Sequence, residues 1–247
     1  MTLTIPLPPQ EFMDAVAGVH FEGIDHINLG RILAALVKDL CRLKSNDTVL
    51  DLGCGCGRIA SHFATDGFSG QYHGLDIVKP MIDWCRDNIS AGYPNFHFHH
   101  ADLDNTYYRG GRGDAATYKF PFADNTFDVV FATSVFTHLV PGSARNYFNE
   151  IARVLRHGGR ATFSFFLLND EWRAIVASGT AIQINFAHEF SEGCRVFDPD
   201  DPEHIIAYEE SHALKMIDQA GLCVERVVHG GWPKDPNQQD WIKIVKQ

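Results

Sequence analysis

The chain is 247 residues long, 45% hydrophobic, and carries a formal net charge of −10. That length holds one α/β domain with a modest elaboration and a sizeable core. Its 31 acidic residues outnumber 21 Lys and Arg, and no basic cluster interrupts the pattern, so nucleic acid is an unlikely partner: neutralising phosphates needs basic surface.

No apolar run reaches the ~18 residues of a membrane span, and residues 1–10 carry prolines and no basic lead. The expectation is a soluble, cytoplasmic protein with no membrane span. Cys41, Cys54, Cys56, Cys85, Cys194 and Cys223 are scattered without Cys-x-x-Cys pairs, which points away from a disulfide framework or structural zinc. His97, His99 and His100 share one strand-like run and read as strand-edge polarity rather than a metal site.

In chain order, residues 1–10 form a loose lead. Residues 11–30 mix Phe12 and Phe21 with Gly18 and Gly23, as suits a segment lying over something else. Ile32, Leu33, Leu36, Val37 and Leu40 follow helical spacing and predict a helix over 28–43, so residues 1–45 read as a helical cover and 46–247 as the main domain. Val49, Leu50 and Leu52 make a first strand, followed by a helix over 59–65 and a second strand over 72–77. Pro80 suits the first turn of a helix over 80–90, with Met81, Ile82, Cys85 and Ile89 inward. A third strand covers 94–99, and the polar, glycine-rich stretch 104–119 reads as a surface insertion. Residues 128–132 are a fourth strand, and 143–155 an amphipathic helix stopped by His157-Gly158-Gly159. Residues 161–168 are a fifth strand. This alternation demands a parallel, doubly wound sheet with right-handed crossovers. Residues 169–208 lack periodicity over a length of about forty residues, too long for an ordinary connection, and predict a lid or substrate pocket. A helix over 209–220 capped by Gly221, a strand over 222–229 and a last one over 240–245 complete the chain.

The densest signal is Thr48 to Arg58, where an apolar run meets three alternating glycines and then a helix. Gly53, Gly55 and Gly57 let the chain turn sharply and let a ligand touch the backbone. Asp76 stands about 20 residues beyond, the spacing of an acid that grips ribose hydroxyls. A dinucleotide loop wants its third glycine where Arg58 stands, so a ligand with ribose and adenine but no pyrophosphate fits better.

The run apolar-apolar-Asp-apolar-Gly-x-Gly-x-Gly over Val49 to Gly57, with Asp76 and a later Leu155-x-x-Gly-Gly in order, resembles the class I S-adenosylmethionine-dependent methyltransferases. The likeness runs from about residue 46 to 168 and more weakly to the end. It implies an α/β, Rossmann-like, doubly wound seven-stranded sheet, mostly parallel with an antiparallel last strand, carrying an insertion after strand five. It also implies S-adenosylmethionine as cofactor. In such a protein Asp51, Gly53, Gly55 and Gly57 line the methionine half, and Arg58 faces the methionine carboxylate or is a plain helix-surface arginine. Asp76 accepts the ribose hydroxyls and Ile77 covers the adenine. Asp102 takes the adenine amino hydrogen with Leu103 as backbone donor, unless Asp102 is a solvated loop carboxylate. Thr133 and Ser134, at the end of strand four, lie beside the sulfonium.

That strand continues into Val135-Phe136-Thr137-His138-Leu139, without the Asn/Asp-Pro-Pro-Tyr/Phe of members that methylate amino groups of bases or protein glutamine. It looks like bacterial members that act on small molecules. Such chemistry chiefly needs alignment of a nucleophile and exclusion of water. A hydroxyl acceptor adds the need for a base, for which His138 is the candidate; the alternative is a histidine that orients the loop. Asp170, Glu171, His188, Glu189 and Arg195 are second-line candidates, and Phe21, Trp172, Phe186 and Phe190 build either an acceptor pocket or the insertion's own core. No acidic cluster suggests catalytic magnesium. The expected function is methyl transfer to a small-molecule acceptor, a sugar or secondary-metabolite hydroxyl ahead of nitrogen or carbon. The alternatives are an NAD(P)-dependent oxidoreductase, disfavoured by the missing third glycine, and a non-catalytic S-adenosylmethionine-binding module.

Overall fold

The computed structural model of the protein describes residues 5–17, 25–108, 111–178, 184–233, 235 and 238–247. The chain opens with α1 (Gln10–Ala17) and α2 (His26–Leu40). Of the stretch 11–30, read from sequence as a segment lying over something rather than a regular core element, residues 11–17 and 26–30 are helical, while Gly18, Phe21 and Gly23 lie outside the described residues. Asp25 caps α2 by accepting a bond from the Asn28 amide at 2.7 Å. The helix ends at Leu40 rather than 43 because Arg42 turns left-handed (φ 47°), so that the Leu43 amide bonds the Lys38 carbonyl and the Arg42 amide that of Asp39.

The main sheet follows: β1 (Thr48–Leu52), α3 (Arg58–Thr65), β2 (Gln71–Asp76), α4 (Lys79–Cys85), β3 (Phe96–His100), β4 (Phe127–Ala132), α5 (Pro141–Val154) and β5 (Leu155–Phe165). The helix predicted over 80–90 divides, α4 passing into a π turn at Arg86–Ser90 that keeps Ile89 buried beside Met81, Ile82 and Cys85. Further on come β6 (Leu167–Leu168), α6 (Asp170–Ala177), β7 (His188–Ser191), β8 (Cys194–Val196), β9 (Ile206–Glu209), α7 (Glu210–Gln219), β10 (Cys223–Val228) and β11 (Asp240–Val245).

The sheet order is β10-β11-β5-β4-β1-β2-β3. β1 pairs in parallel with β2 and β4, β4 with β5, and β2 with β3, whereas β11 runs antiparallel to both β5 and β10. This is the seven-stranded, doubly wound α/β architecture expected from the sequence. Each face is covered: Val37, Ile59, Phe63 and Ile82 meet Val49 and Phe131 on one side, and Phe148, Ile151 and Ile217 meet Leu50, Val130 and Phe163 on the other. That double coverage is why the central strands are apolar at almost every position.

The sequence reading of His157-Gly158-Gly159 as a helix stop is corrected. Leu155 is already extended and pairs with Phe127, and residues 156–159 bulge out before Arg160 pairs with Val129. Gly158, at φ 73°, makes that bulge and bonds through its amide to the Lys246 carbonyl. The region 169–208 is also more ordered than predicted. It holds α6 and most of a second sheet, β6-β9-β8-β7, packed around Phe166, Trp172, Phe186 and Trp232.

On the outer half of the main sheet, His73 of β2 lies between His97 and His99 of β3, with ring centroids 4.9 and 5.3 Å away. His73 Nδ1 is 3.1 Å from His99 Nε2, and the rings of Phe122 and Phe127 stand edge-on to His73. Burial first, and the neighbouring imidazoles second, hold His73 down to about 4. An unfolded histidine titrates near 6.5, so between these values the unfolded chain takes up a proton that the native chain refuses, and stability falls as pH drops through the window. His73→Gln removes that share. Its melting temperature relative to the parent protein should rise between about pH 7 and pH 4.5, read by thermal scans; a difference independent of pH would show that His73 is not held neutral.

Candidate functional site

β1 lies between β2 and β4, so the chain leaves its end toward one face while the chain leaving β4 departs toward the other. A crevice opens between such loops at the carboxyl edge of a doubly wound sheet. Counting the solvent at its mouth, it holds about 1040 Å³ of empty space, lined by the loop after β1, the ends of β2 and β4, Val16 of α1, Asn105, Tyr108 and Tyr147.

The loop after β1 is shaped by its glycines. Gly53 and Gly55 are left-handed, at φ 72° and 52°. A Cβ on Gly53 would stand 2.3 Å from Val135 Cγ2, and one on Gly55 would stand 2.8 Å from Val16 Cγ1. Gly57, also left-handed, precedes the first turn of α3. The loop hangs from β2: the Gly53 amide bonds the Leu75 carbonyl at 2.8 Å, and the Gly55 amide bonds Asp76 Oδ2 at 2.7 Å.

Asp76 Oδ1 takes a second amide, that of Val78, at 2.8 Å. Burial pushes its carboxyl up, and these amide bonds oppose the shift. With one amide on each oxygen, each keeps a lone pair free for a hydroxyl donor. Asp51, buried in β1, accepts the Tyr72 hydroxyl on Oδ2 at 2.5 Å, while its Oδ1 is buried without a partner. Burial pushes Asp51 up to about 8. Arg58 is half-buried at the start of α3, lines the crevice and donates from Nη1 to the Val16 carbonyl at 3.2 Å, which ties α1 to the glycine loop. Ile77 lines the crevice beside Asp76.

On the opposite wall stand Thr133 and Ser134. Ser134 is left-handed (φ 57°), its amide donates to Ser164 Oγ at 2.7 Å, and its hydroxyl donates to Gln239 Oε1 at 3.3 Å. A short 3-10 turn, Phe136–His138, brings His138 to the crevice. Its Nδ1 lies 2.9 Å from the Glu203 carbonyl. A carbonyl oxygen only accepts, so Nδ1 carries the proton and Nε2 keeps a lone pair. Burial holds His138 below the ordinary imidazole range, so the ring is neutral at pH 7.

Two of the sequence-predicted residues are not brought here. After β3 the chain doubles back, with the Gly113 amide on the Asp102 carbonyl and the Asp104 amide on the Gly113 carbonyl. The Asp102 carboxylate turns outward to Arg112 Nε at 3.2 Å, and the Leu103 amide is spent on the Ala101 carbonyl. Neither residue lines the crevice. Asp170 pairs with Arg173, Arg195 donates to the Phe186 and Ala187 carbonyls, and Glu171, His188 and Glu189 are exposed. Trp172 and Phe186 belong to the core of the second sheet, Phe190 is exposed, and Phe21 lies outside the described residues. Sequence reasoning missed Val16, Asn105, Tyr108 and Tyr147. The Tyr107-Tyr108 pair was the one visible signal, aromatic side chains inside an otherwise polar stretch.

A left-handed backbone cradle that side chains would fill, a carboxylate with two free lone pairs and a buried carboxylate oxygen awaiting a donor together suit a nucleoside joined to an amino acid. A family described as methyltransferase domain matches residues 49–159. Phthiotriol/phenolphthiotriol dimycocerosates methyltransferase 1 of Mycobacterium ulcerans is 29% identical over 164 residues, 65% of this chain and 52% of its own length. An O-methyltransferase of Aspergillus nomiae is 30% identical over 128 residues, 49% of this chain and 47% of its own length. The chain thus spans about half the length of these two relatives. The fold is similar to that of a TehB-like S-adenosylmethionine-dependent methyltransferase from Corynebacterium glutamicum, with a TM-score of 0.56 over 96% of this chain and 95% of that one at 16% identity. The family match, the relatives and the fold together support a class I S-adenosylmethionine-dependent methyltransferase, and they imply S-adenosylmethionine as the cofactor.

A side chain at position 53 must both accept a left-handed backbone, a penalty of about 1–2 kcal/mol, and displace Val135, a further ~1–3 kcal/mol. Gly53→Ala should therefore lower the melting temperature by roughly 5–15 °C. Adding Val135→Ala should recover the packing share alone. A Gly53→Ala protein that melts like its parent would show that this turn is not packed against Val135.

Proposed function

We propose that this chain methylates a hydroxyl of a small molecule, a sugar or a secondary metabolite, with His138 as general base. The observation that carries the reading is the His138 imidazole at the crevice, with its Nδ1 2.9 Å from the Glu203 carbonyl and its Nε2 therefore left as the acceptor. The O-methyltransferase among the relatives supports the choice of oxygen. When bound, S-adenosylmethionine supplies a methyl carbon already activated by its sulfonium.

The chain's own residues then bind, align and deprotonate. Asp76 accepts the ribose hydroxyls on its two remaining lone pairs, and Ile77 packs on the adenine. Asp51 Oδ1 receives the cofactor's ammonium group, which removes the penalty of a buried oxygen without a donor. Gly53, Gly55 and Gly57 allow close backbone approach, and Arg58 pairs with the methionine carboxylate. Thr133 and Ser134 flank the reacting end. As the acceptor oxygen forms its bond to carbon, its proton passes to His138 Nε2. Val16, Tyr108 and Tyr147 close the crevice against water. Asp102 and Leu103 have no part in this arrangement.

Asp51 is largely protonated at pH 7 in the free protein and becomes a carboxylate once an ammonium group faces it. Binding of S-adenosylhomocysteine at pH 7 should release about one proton, measured by calorimetry in buffers of different ionisation enthalpy, and Asp51→Asn should abolish the release. Binding with no proton release would remove Asp51 from contact with the ammonium. For the base, His138→Gln should lower kcat by about 10²–10⁴ while S-adenosylhomocysteine affinity stays within roughly twofold. Turnover near that of the parent protein on an acceptor found by screening hydroxylated metabolites would exclude His138 as the base.

A further inference from the structure

Residues 105–108, which follow β3, and the loop joining β8 to β9 meet in the described structure around one side chain, His138. The Tyr107 ring lies nearly parallel between two imidazoles, His138 at 5.5 Å and 15°, and His204 at 4.9 Å and 10°. Phe197 stands edge-on against His204 at 6.0 Å, closing the far end of the stack. Polar contacts clasp the same two segments. The Thr106 amide donates to Glu203 Oε2 at 2.7 Å, and the Thr106 hydroxyl to Asp201 Oδ1 at 2.5 Å. Asn105 Oδ1 accepts the amides of Tyr107 and Tyr108 at 3.1 and 3.0 Å, which fixes the turn that presents both rings.

We propose that Tyr107 and Glu203 are positioning residues for His138, the Tyr107 ring setting the plane of the imidazole and the Glu203 carbonyl holding its proton on Nδ1. The proposal rests on the reading of His138 as the base. Two insertions far apart in sequence thereby supply one condition for activity: Nε2 is presented unprotonated only while they are clasped. Asn105 and Tyr108, on the same turn as Tyr107, also line the crevice, so the clasp that orients the base also forms part of its wall. The titratable groups around the imidazole are Tyr107 and Tyr108 from the segment after β3, and Asp201, Glu203 and His204 from the loop before β9; Tyr208 of β9 bonds the adjacent Leu139 carbonyl. Burial disfavours protonation of His138 most; the Glu203 carbonyl bond opposes that effect, and the His204 imidazole, the His204 backbone and Asp201 add smaller contributions of mixed sign.

The test reads the ring itself. Protein labelled with ¹⁵N-histidine and saturated with S-adenosylhomocysteine reports the tautomer and titration of each imidazole by NMR, with His138→Gln assigning the signal. In the parent protein, His138 should be the Nδ1–H tautomer and titrate below 6.5. Tyr107→Phe, which keeps the stack, should leave both unchanged. Tyr107→Ala should mix the tautomers and raise the titration midpoint toward 6.5, with kcat reduced about tenfold and S-adenosylhomocysteine affinity within about twofold. If the Tyr107→Ala protein does not fold, Tyr107→Leu, apolar but ringless, makes the same comparison. A His138 signal unchanged in the ringless variant, or Tyr107→Phe behaving like it, overturns the clasp. If His138→Gln retains turnover while Tyr107→Ala still frees the ring, the base assignment fails and the positioning of the ring stands.

Discussion

The carboxylate of Asp76 is the tie on which the active edge of the sheet depends. One oxygen takes the amide of Gly55, from the crossover after β1, and the other takes that of Val78, from the crossover after β2. A buried carboxylate is costly without donors, and these amides are donors that no helix or strand ladder uses. The exchange satisfies both sides and fixes the two loops relative to each other. From it follow the left-handed path through Gly53, Gly55 and Gly57, the start of α3 at Arg58, and the tether from Arg58 to the Val16 carbonyl that lays α1 over the loop.

The two ends of the crevice are built differently. The Asp76 end is held by backbone bonds within a short stretch of chain between adjacent parallel strands, so it is rigid and local. The His138 end is assembled from parts separated by tens of residues: a short turn after β4, the Asn105–Tyr108 turn, and the loop before β9. What joins them is stacking and a few polar bonds rather than a shared sheet ladder. Such contacts reorganise more readily than a ladder does. The Asp76 end is thus built into the sheet, and the His138 end depends on peripheral segments, which vary more freely without disturbing the core.

The second sheet shows how an insertion becomes ordered. Residues 169–208 have no periodic pattern because their strands are only three or four residues long and their apolar side chains are shared with Phe166 and Trp232 from outside the segment. Trp172 and Phe186, read from sequence as either pocket or core, are core. No helix among the described residues is long and apolar enough to cross a membrane.

What the sequence alone determined was everything carried by local spacing. The alternation of apolar strands and amphipathic helices dictated a doubly wound sheet, β11 was located to the residue at Asp240–Val245, and the glycine loop and Asp76 were read as neighbours at one edge, where both line the crevice. The misplacements each have a tertiary cause. Arg42 and the π turn after Cys85 ended helices whose apolar pattern runs on, because the pattern records which residues are buried and not which hydrogen bonds bury them. Gly158 and Gly159 make a bulge rather than a cap, since either use asks the same left-handed freedom of glycine. Asp102 and Leu103 do not line the crevice, the Asp102 carboxylate lying against Arg112 and the Leu103 amide on Ala101 where the chain doubles back at Gly113. Val16, Asn105, Tyr108 and Tyr147 joined it without any motif, because each is brought to the crevice by the packing of a segment distant in the chain. Spacing along the chain specifies what one segment does with its own backbone; which side chains from different segments face one another is decided only when the sheet and its two insertions close together.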